Sequence, residues 1–107
     1  MILFPRFSAH TFAALLVLAF ADTARADGDK EYGEYLSSEC VTCHQIGATA
    51  GQIPSIAGMD AQGFADIMKA YRGQVLENPA MQTVAKRLTD EDIAALAAYF
   101  SSLPEPQ

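Results

Sequence analysis

The residues Glu39-Cys40-Val41-Thr42-Cys43-His44 hold both cysteines of the chain and one of its two histidines. Two thiols and an imidazole this close together suit three chemistries: a redox dithiol, part of a zinc site, or covalent attachment of haem. A zinc ion takes four ligands, or three and a water. Cys40, Cys43 and His44 supply at most three, and the adjacent Cys43 and His44 would chelate one ion awkwardly. A thioredoxin-like dithiol needs an α/β setting, and no alternating strand pattern is present. The bland alternative is a buried disulfide turn with a bystander histidine. Haem attachment uses every group. Thiols at i and i+3 at the end of a helix face one side and can add to the two vinyl groups of one porphyrin as thioethers. His44 then reaches the iron. C-x-x-C-H is the haem c attachment signature.

The elements around this cluster begin with a leader. The chain has 107 residues and opens MILFPRFSAHTFAALLVLAFADTARADGD. Arg6 and His10 give a weakly basic start, Thr11 to Ala21 is apolar and uncharged, and Ala24-Arg25-Ala26 is a small-x-small cleavage pattern. This order predicts a secretory signal peptide over residues 1–26, cleaved after Ala26, and a mature domain over residues 27–107. The apolar run is well short of the ~20 residues that span a bilayer as a helix, and no second one follows, so no membrane span is expected in the mature chain. Export places the protein in an oxidising space, the periplasm. Covalent attachment of haem to secreted proteins follows export, so leader and motif agree. His10 leaves with the leader, and His44 becomes the only histidine. The formal charge of the whole chain is −6, and loss of Arg6, Asp22 and Arg25 makes the remainder more acidic. Nucleic-acid binding needs a basic footprint and is excluded. A domain this small has a thin core and calls for a cofactor or another staple.

The mature chain reads as all-α. Tyr32, Leu36 and Cys40 recur on one face of a helix from about Asp29 to Cys40. A loop punctuated by Gly47, Gly51, Pro54 and Gly58 follows. Asp60 can cap a second helix with Phe64, Ile67, Met68 and Tyr71 on its apolar face, and Gly73 ends it. Asn78-Pro79 reads as an N-cap followed by proline at the first helical position, opening a short helix that carries Met81, Val84, Ala85 and Leu88. Thr89-Asp90-Glu91-Asp92 resembles a capping box with aspartate at N3, its acids suiting the positive end of the dipole. The last helix buries Ile93, Leu96, Ala97, Phe100 and Leu103 until Pro104 stops it. Between Met68 and Leu88, Lys69, Arg72, Lys86 and Arg87 stand against Glu77 alone, a basic rim that could steer an acidic partner or serve only as solvated helix faces.

Residues from about 29 to 104 resemble a small monohaem class I cytochrome c, with the motif near the mature N-terminus, a methionine well downstream and an aromatic helix closing the chain. The resemblance implies a class I cytochrome c fold: about four short helices around one haem c, covalently bound through two thioethers, with the first and last helices packed together. It also implies that Pro54 in "IPSIAG" offers its carbonyl to the proximal His44, a bond that fixes the ring and raises ligand basicity. The tryptophan that often contacts a haem propionate is missing, and Tyr71 or Arg72 could take its place. More narrowly, "PSIAG", "AYRG", "NPAM" and "ALAAYF" are similar to the cytochrome subunit of flavocytochrome c sulfide dehydrogenases.

With no second histidine, the candidates for the sixth iron ligand are Met59, Met68 and Met81, with Lys69 and Lys86 more remote. Met68 shares the apolar stripe of Phe64 and reads as core. Met59 follows His44 so closely that its loop would have to round the porphyrin edge at once. Met81 follows the stiff Asn78-Pro79 pair, although it also shares a helix face with Val84 and Leu88. His/Met ligation is expected of cytochromes c, and Met81 is the expected ligand. The expected function is therefore a periplasmic one-electron carrier and not an enzyme. Its partner would be a sulfide-oxidising flavoprotein subunit, a terminal oxidase or another cytochrome. The alternative is a haem enzyme or small-gas-binding protein with a labile sixth ligand.

Overall fold

In the computed structural model, residues 2–3, 28–47 and 53–106 are described. The expected leader and its cleavage point lie outside the described residues, save for residues 2 and 3. The described residues form helices and loops with no strand: α1 (Lys30–Leu36), α2 (Ser38–Val41), α3 (Ala61–Arg72), α4 (Pro79–Lys86) and α5 (Asp90–Ser102). This agrees with the all-α arrangement that the resemblance implies, with five helices in place of about four. The extra element arises at Ser37, which divides the helix expected from Asp29 to Cys40. Its hydroxyl donates to the Glu34 carbonyl at 2.6 Å and its side chain is buried. A serine that bonds back to the preceding turn competes with the helical ladder and bends it. The backbone nevertheless stays right-handed there, and the chain turns on into the cysteine motif.

The helix starts follow their caps. Asp29 accepts from the Tyr32 N–H, Asp60 from the Gly63 N–H and Asn78 from the Met81 N–H. Thr89 and Asp92 exchange both bonds of a capping box. Each bond satisfies a backbone donor that the helix itself cannot use. Helix α3 ends at Gly73, but the left-handed residue is Gln74, at φ 62°. The Val75 N–H reaches the Ala70 carbonyl at 2.8 Å and the Gln74 N–H reaches that of Tyr71 at 3.1 Å, the paired bonds of a Schellman stop.

The core gathers Phe64 and Met68 of α3, Ala85 of α4, and Ile93, Leu96, Ala97 and Phe100 of α5. Phe64 and Phe100 stack with ring centroids 5.7 Å apart. Leu36, Cys40, Met81 and Leu88 pack against this cluster from its edge. Ile67, expected on the buried stripe of α3, is 40% exposed. The inward arc of α3 is narrow enough for Phe64 and Met68, and Ile67 falls on its flank.

Helix α1 lies with its backbone directly on that of α5. A methyl group on Gly33 would stand 2.0 Å from the Ala95 carbonyl oxygen, and Ala95 has no exposed surface. Gly33→Ala should gain about 1 kcal/mol of helix propensity yet lose about 3 kcal/mol through overpacking. Urea melts of the holoprotein should show the net loss. An unchanged midpoint would mean that the two helices can separate freely.

The Tyr32 hydroxyl also donates to Asp92 at 2.8 Å, tying α1 to the start of α5. The Thr89 backbone N–H, and then the Tyr32 hydroxyl, hold the Asp92 carboxyl below the usual carboxylate range. A carboxyl lowered by folding contributes stability above its unfolded pKa, and this is lost as pH falls through the folded value. Thr89→Ala should cost about 1 kcal/mol and Asp92→Asn should flatten the acid limb of the stability curve. An acid limb unchanged in Asp92→Asn would show that the carboxylate contributes nothing to folding.

Candidate haem-binding site

The motif residues sit where α2 runs into the loop. The His44 N–H reaches back to the Cys40 carbonyl at 2.8 Å and the Cys43 N–H reaches the same oxygen at 3.2 Å. The helical turn thus continues through all three chemical groups. Cys40 is half-buried, Cys43 is exposed, and neither is in a disulfide. Burial pushes the Cys40 thiol up, and the neighbouring Glu39 charge adds to the shift. Among the described residues no three His, Cys, Asp or Glu side chains converge as a metal cage would require. The motif spreads its groups, as attachment to separate atoms of one large ring requires.

His44 Nδ1 lies 2.6 Å from the Pro54 carbonyl oxygen. A carbonyl only accepts, so Nδ1 carries the proton and the lone pair of Nε2 is left open to a ligand. The chain brings Pro54 to His44 from ten residues away, through a segment held to α5: the Gly58 N–H donates to the Phe100 carbonyl at 2.8 Å.

The three methionines occupy different settings. Met68 is 5% exposed inside the core. Met59 and Met81 are half-buried at its edge. Met81 stands in the first turn of α4, its N–H held by the Asn78 side chain at 3.1 Å. Tyr71 is half-buried against the core. The Arg72 guanidinium donates to the Leu88 carbonyl and pairs with Asp90 at 2.5 Å, which fastens the end of α3 to the α4–α5 turn. Arg87 pairs with Glu39 at 3.4 Å. Two of the four cations of the expected basic rim are thus matched by carboxylates from elsewhere in the chain. The rim is weaker than the local sequence count suggests.

A cleft of about 330 Å³ opens between α1–α2, α4 and α5, with Leu36, Cys40, Val84, Leu88 and Leu96 in its wall. It touches Cys40 but not Cys43, His44 or Met81, so it borders one thiol of the motif and none of its other groups. The uncommitted thiols and the oriented imidazole, with the leucines and Val84 on one side of the cleft beside Cys40 and Tyr32, Glu39, Arg87 and Asp92 on its rim, together fit a covalently held haem. The motif stands out in the sequence by its spacing, and Pro54, which only the family resemblance implied, lies against His44 in the structure. Sequence reading missed the bond from Gly58 to Phe100 and the engagement of Arg72, neither of which leaves a local pattern.

Comparison with known proteins agrees with this geometry. The profile of the family described as "Cytochrome C oxidase, cbb3-type, subunit III" matches residues 24–100. A protein of Halomonas halodenitrificans named cytochrome c-554(548) is 40% identical over 83 residues, covering 70% of this chain and 96% of its own. Cytochrome c-553 of Helicobacter pylori strain J99 is 33% identical over 93 residues, covering 84% of this chain and 93% of its own. A protein of Stutzerimonas stutzeri named thiosulfate dehydrogenase electron acceptor is 35% identical over 101 residues, which is 88% of this chain. The match spans about half of that relative, 46% of its length.

Proposed function

Because the chain belongs to the small monohaem class I cytochromes c, which carry covalently bound haem c, we propose that it is an exported one-electron carrier. In this reading His44 and Met81 would hold the haem iron, and the electron donor would be an enzyme that oxidises an inorganic sulfur compound. The observation that carries the ligation is the imidazole of His44, oriented by Pro54 beside two uncommitted thiols. When bound, the haem supplies a ferric/ferrous one-electron couple.

The side chains divide the remaining work. Cys40 and Cys43 would hold the ring through thioethers. His44 presents Nε2 while Pro54 keeps Nδ1 protonated and the ring oriented, which raises the basicity of the ligating nitrogen. Met81 offers a neutral thioether from a turn stiffened by Pro79 and the Asn78 cap. Such a ligand favours ferrous iron and raises the potential. Leu36, Leu88 and Leu96 give apolar surface on the side of Cys40. Tyr71 and Arg72 are the candidates for a haem propionate, Tyr71 the better placed because Arg72 is already engaged by Asp90 and Leu88. With His44 and Met81 both holding the iron, no ligand position would be left for a substrate, and the protein would carry electrons without bond chemistry of its own.

Two sources support the choice of donor. Relatives from Stutzerimonas stutzeri and Thiomonas intermedia are named thiosulfate dehydrogenase electron acceptors, and the "PSIAG" and "NPAM" phrases resemble the cytochrome subunit of sulfide-oxidising flavocytochromes. The periplasmic setting rests on the order of the leader: basic, apolar, then small-x-small. Among the described residues no helix is long and apolar enough to cross a membrane. Ferric holoprotein mixed with thiosulfate and a thiosulfate dehydrogenase should take up one electron per haem, while thiosulfate alone should leave it ferric. A protein that stays ferric with that enzyme, and also with sulfide and a sulfide-oxidising flavoprotein, would defeat the donor assignment.

A further inference from the structure

We propose that Gly58 is a positioning residue for His44, because it locks the segment bearing the Pro54 carbonyl onto the C-terminal end of α5. The inference rests on the ligating role of His44 proposed above and adds to it a residue outside the ligand set. Three observations converge on Gly58. Its φ is +78°, in the left-handed region that an L side chain adopts only at a cost. Its N–H donates to the Phe100 carbonyl at 2.8 Å. A methyl group built on it would stand 2.4 Å from Cγ, 2.9 Å from Cα and 2.9 Å from N of Glu105. Two of those three atoms are backbone, so rotating the Glu105 side chain would not make room.

The consequence follows from the shortness of the segment. Only three residues, Ser55, Ile56 and Ala57, lie between Pro54 and Gly58. The first of the intervening bonds, Ala57 N–H to the Ser55 hydroxyl at 3.3 Å, keeps the segment compact. Ala57 is itself buried at 5% exposure. The Pro54 carbonyl is therefore fixed from one side by its bond to His44 and from the other by the attachment of Gly58 to Phe100. Phe100 has no exposed surface and lies at the centre of the core. It provides a rigid anchor, so the orientation of the imidazole is set by the end of α5. A side chain at Gly58 must push the segment off Glu105. The Pro54 carbonyl moves with it, and the Nδ1 proton loses a well-aligned acceptor. Hydrogen bonds weaken steeply with misalignment, and a His ligand without its outer partner is a poorer donor to the metal.

The test uses full-length holoprotein and three readouts. In wild-type protein the His44 Nδ1–H should exchange slowly with deuterium, and the Gly58 amide should exchange through the same opening, with the same dependence on added urea. In Gly58→Ala the Nδ1–H should exchange at least tenfold faster and the midpoint potential should rise, because a weaker donor stabilises ferric iron less. Thr89→Ala, a loss of stability remote from this segment, should leave both readouts at their wild-type values. If Gly58→Ala lowers stability but leaves the Nδ1–H exchange and the potential unchanged, Gly58 is merely structural and the proposal is overturned. If Gly58→Ala does not fold, the wild-type exchange decides: unequal opening of the Gly58 amide and the Nδ1–H overturns the proposal. If wild-type protein shows no protected imidazole N–H at all, the reading of His44 fails before that of Gly58, and the proposal falls with it.

Discussion

Met81→Ala should keep its covalent haem and open the iron to carbon monoxide. Cys40, Cys43 and His44 lie in the α2 turn, away in sequence from α4, so attachment should proceed as in wild-type protein. The methyl of alanine offers no lone pair and leaves the sixth position to water or an added ligand. The weak long-wavelength methionine–iron charge-transfer band should vanish. The midpoint potential should drop by a sizeable part of the ~0.8 V range that axial ligands command. Carbon monoxide should then bind the ferrous protein readily. Met59→Leu and Met68→Leu conserve volume and should cost less than ~1.5 kcal/mol each, with spectra still those of six-coordinate low-spin haem. Met68 is a core residue at 5% exposure, which makes its substitution a control for packing. Met59 is the sharper control, because it shares the half-buried core edge with Met81. An iron opened by Met59→Leu and left closed by Met81→Ala would transfer the ligand role to Met59.

Replacing both Cys40 and Cys43 by serine should abolish covalent haem and leave little stable helix. Of the seven residues in the buried cluster, Ala85 and Ala97 contribute only a methyl each. Cys40, Met81 and Leu36 pack at its edge, where the ring would cover them. Small domains rarely reach useful stability from such a core alone. The effect should therefore far exceed the few kcal/mol expected from an ordinary cysteine substitution. Circular dichroism of the purified variant should show a weak helical signal with no cooperative thermal transition. A cooperative, helical apoprotein would show that the five helices fold without the cofactor.

The features legible in the sequence were local ones. Asp60, Asn78 and Thr89 are readable as caps because a cap bonds only to donors two or three residues on, whereas Asp29, which the periodicity places at the start of the first helix, shows its capping role only in the structure. Cys40, Cys43 and His44 were readable because attachment chemistry needs a fixed short spacing. The break at Ser37 was hidden because the spacing of Tyr32, Leu36 and Cys40 runs straight through it, while the serine hydroxyl bends the ladder without disturbing that period. Ile67 was misplaced on the buried face because periodicity gives an arc and not its width, which depends on how α3 meets α5. The approach of Gly33 to Ala95, the attachment of Gly58 to Phe100 and the pairing of Arg72 with Asp90 join residues distant in the chain. Each depends on the tertiary arrangement, and so does the weakening of the basic rim once Arg72 and Arg87 meet Asp90 and Glu39.

The central claim is a closed iron held between His44 and Met81 in a protein that only passes electrons. Exposure of dithionite-reduced wild-type holoprotein to carbon monoxide tests it most directly. The ferrous absorption spectrum should stay unchanged, and ferricyanide should then reoxidise the haem fully. Conversion to a carbon monoxide complex at low gas concentration would contradict the central claim, and would favour a haem enzyme or gas-binding protein with a labile sixth ligand.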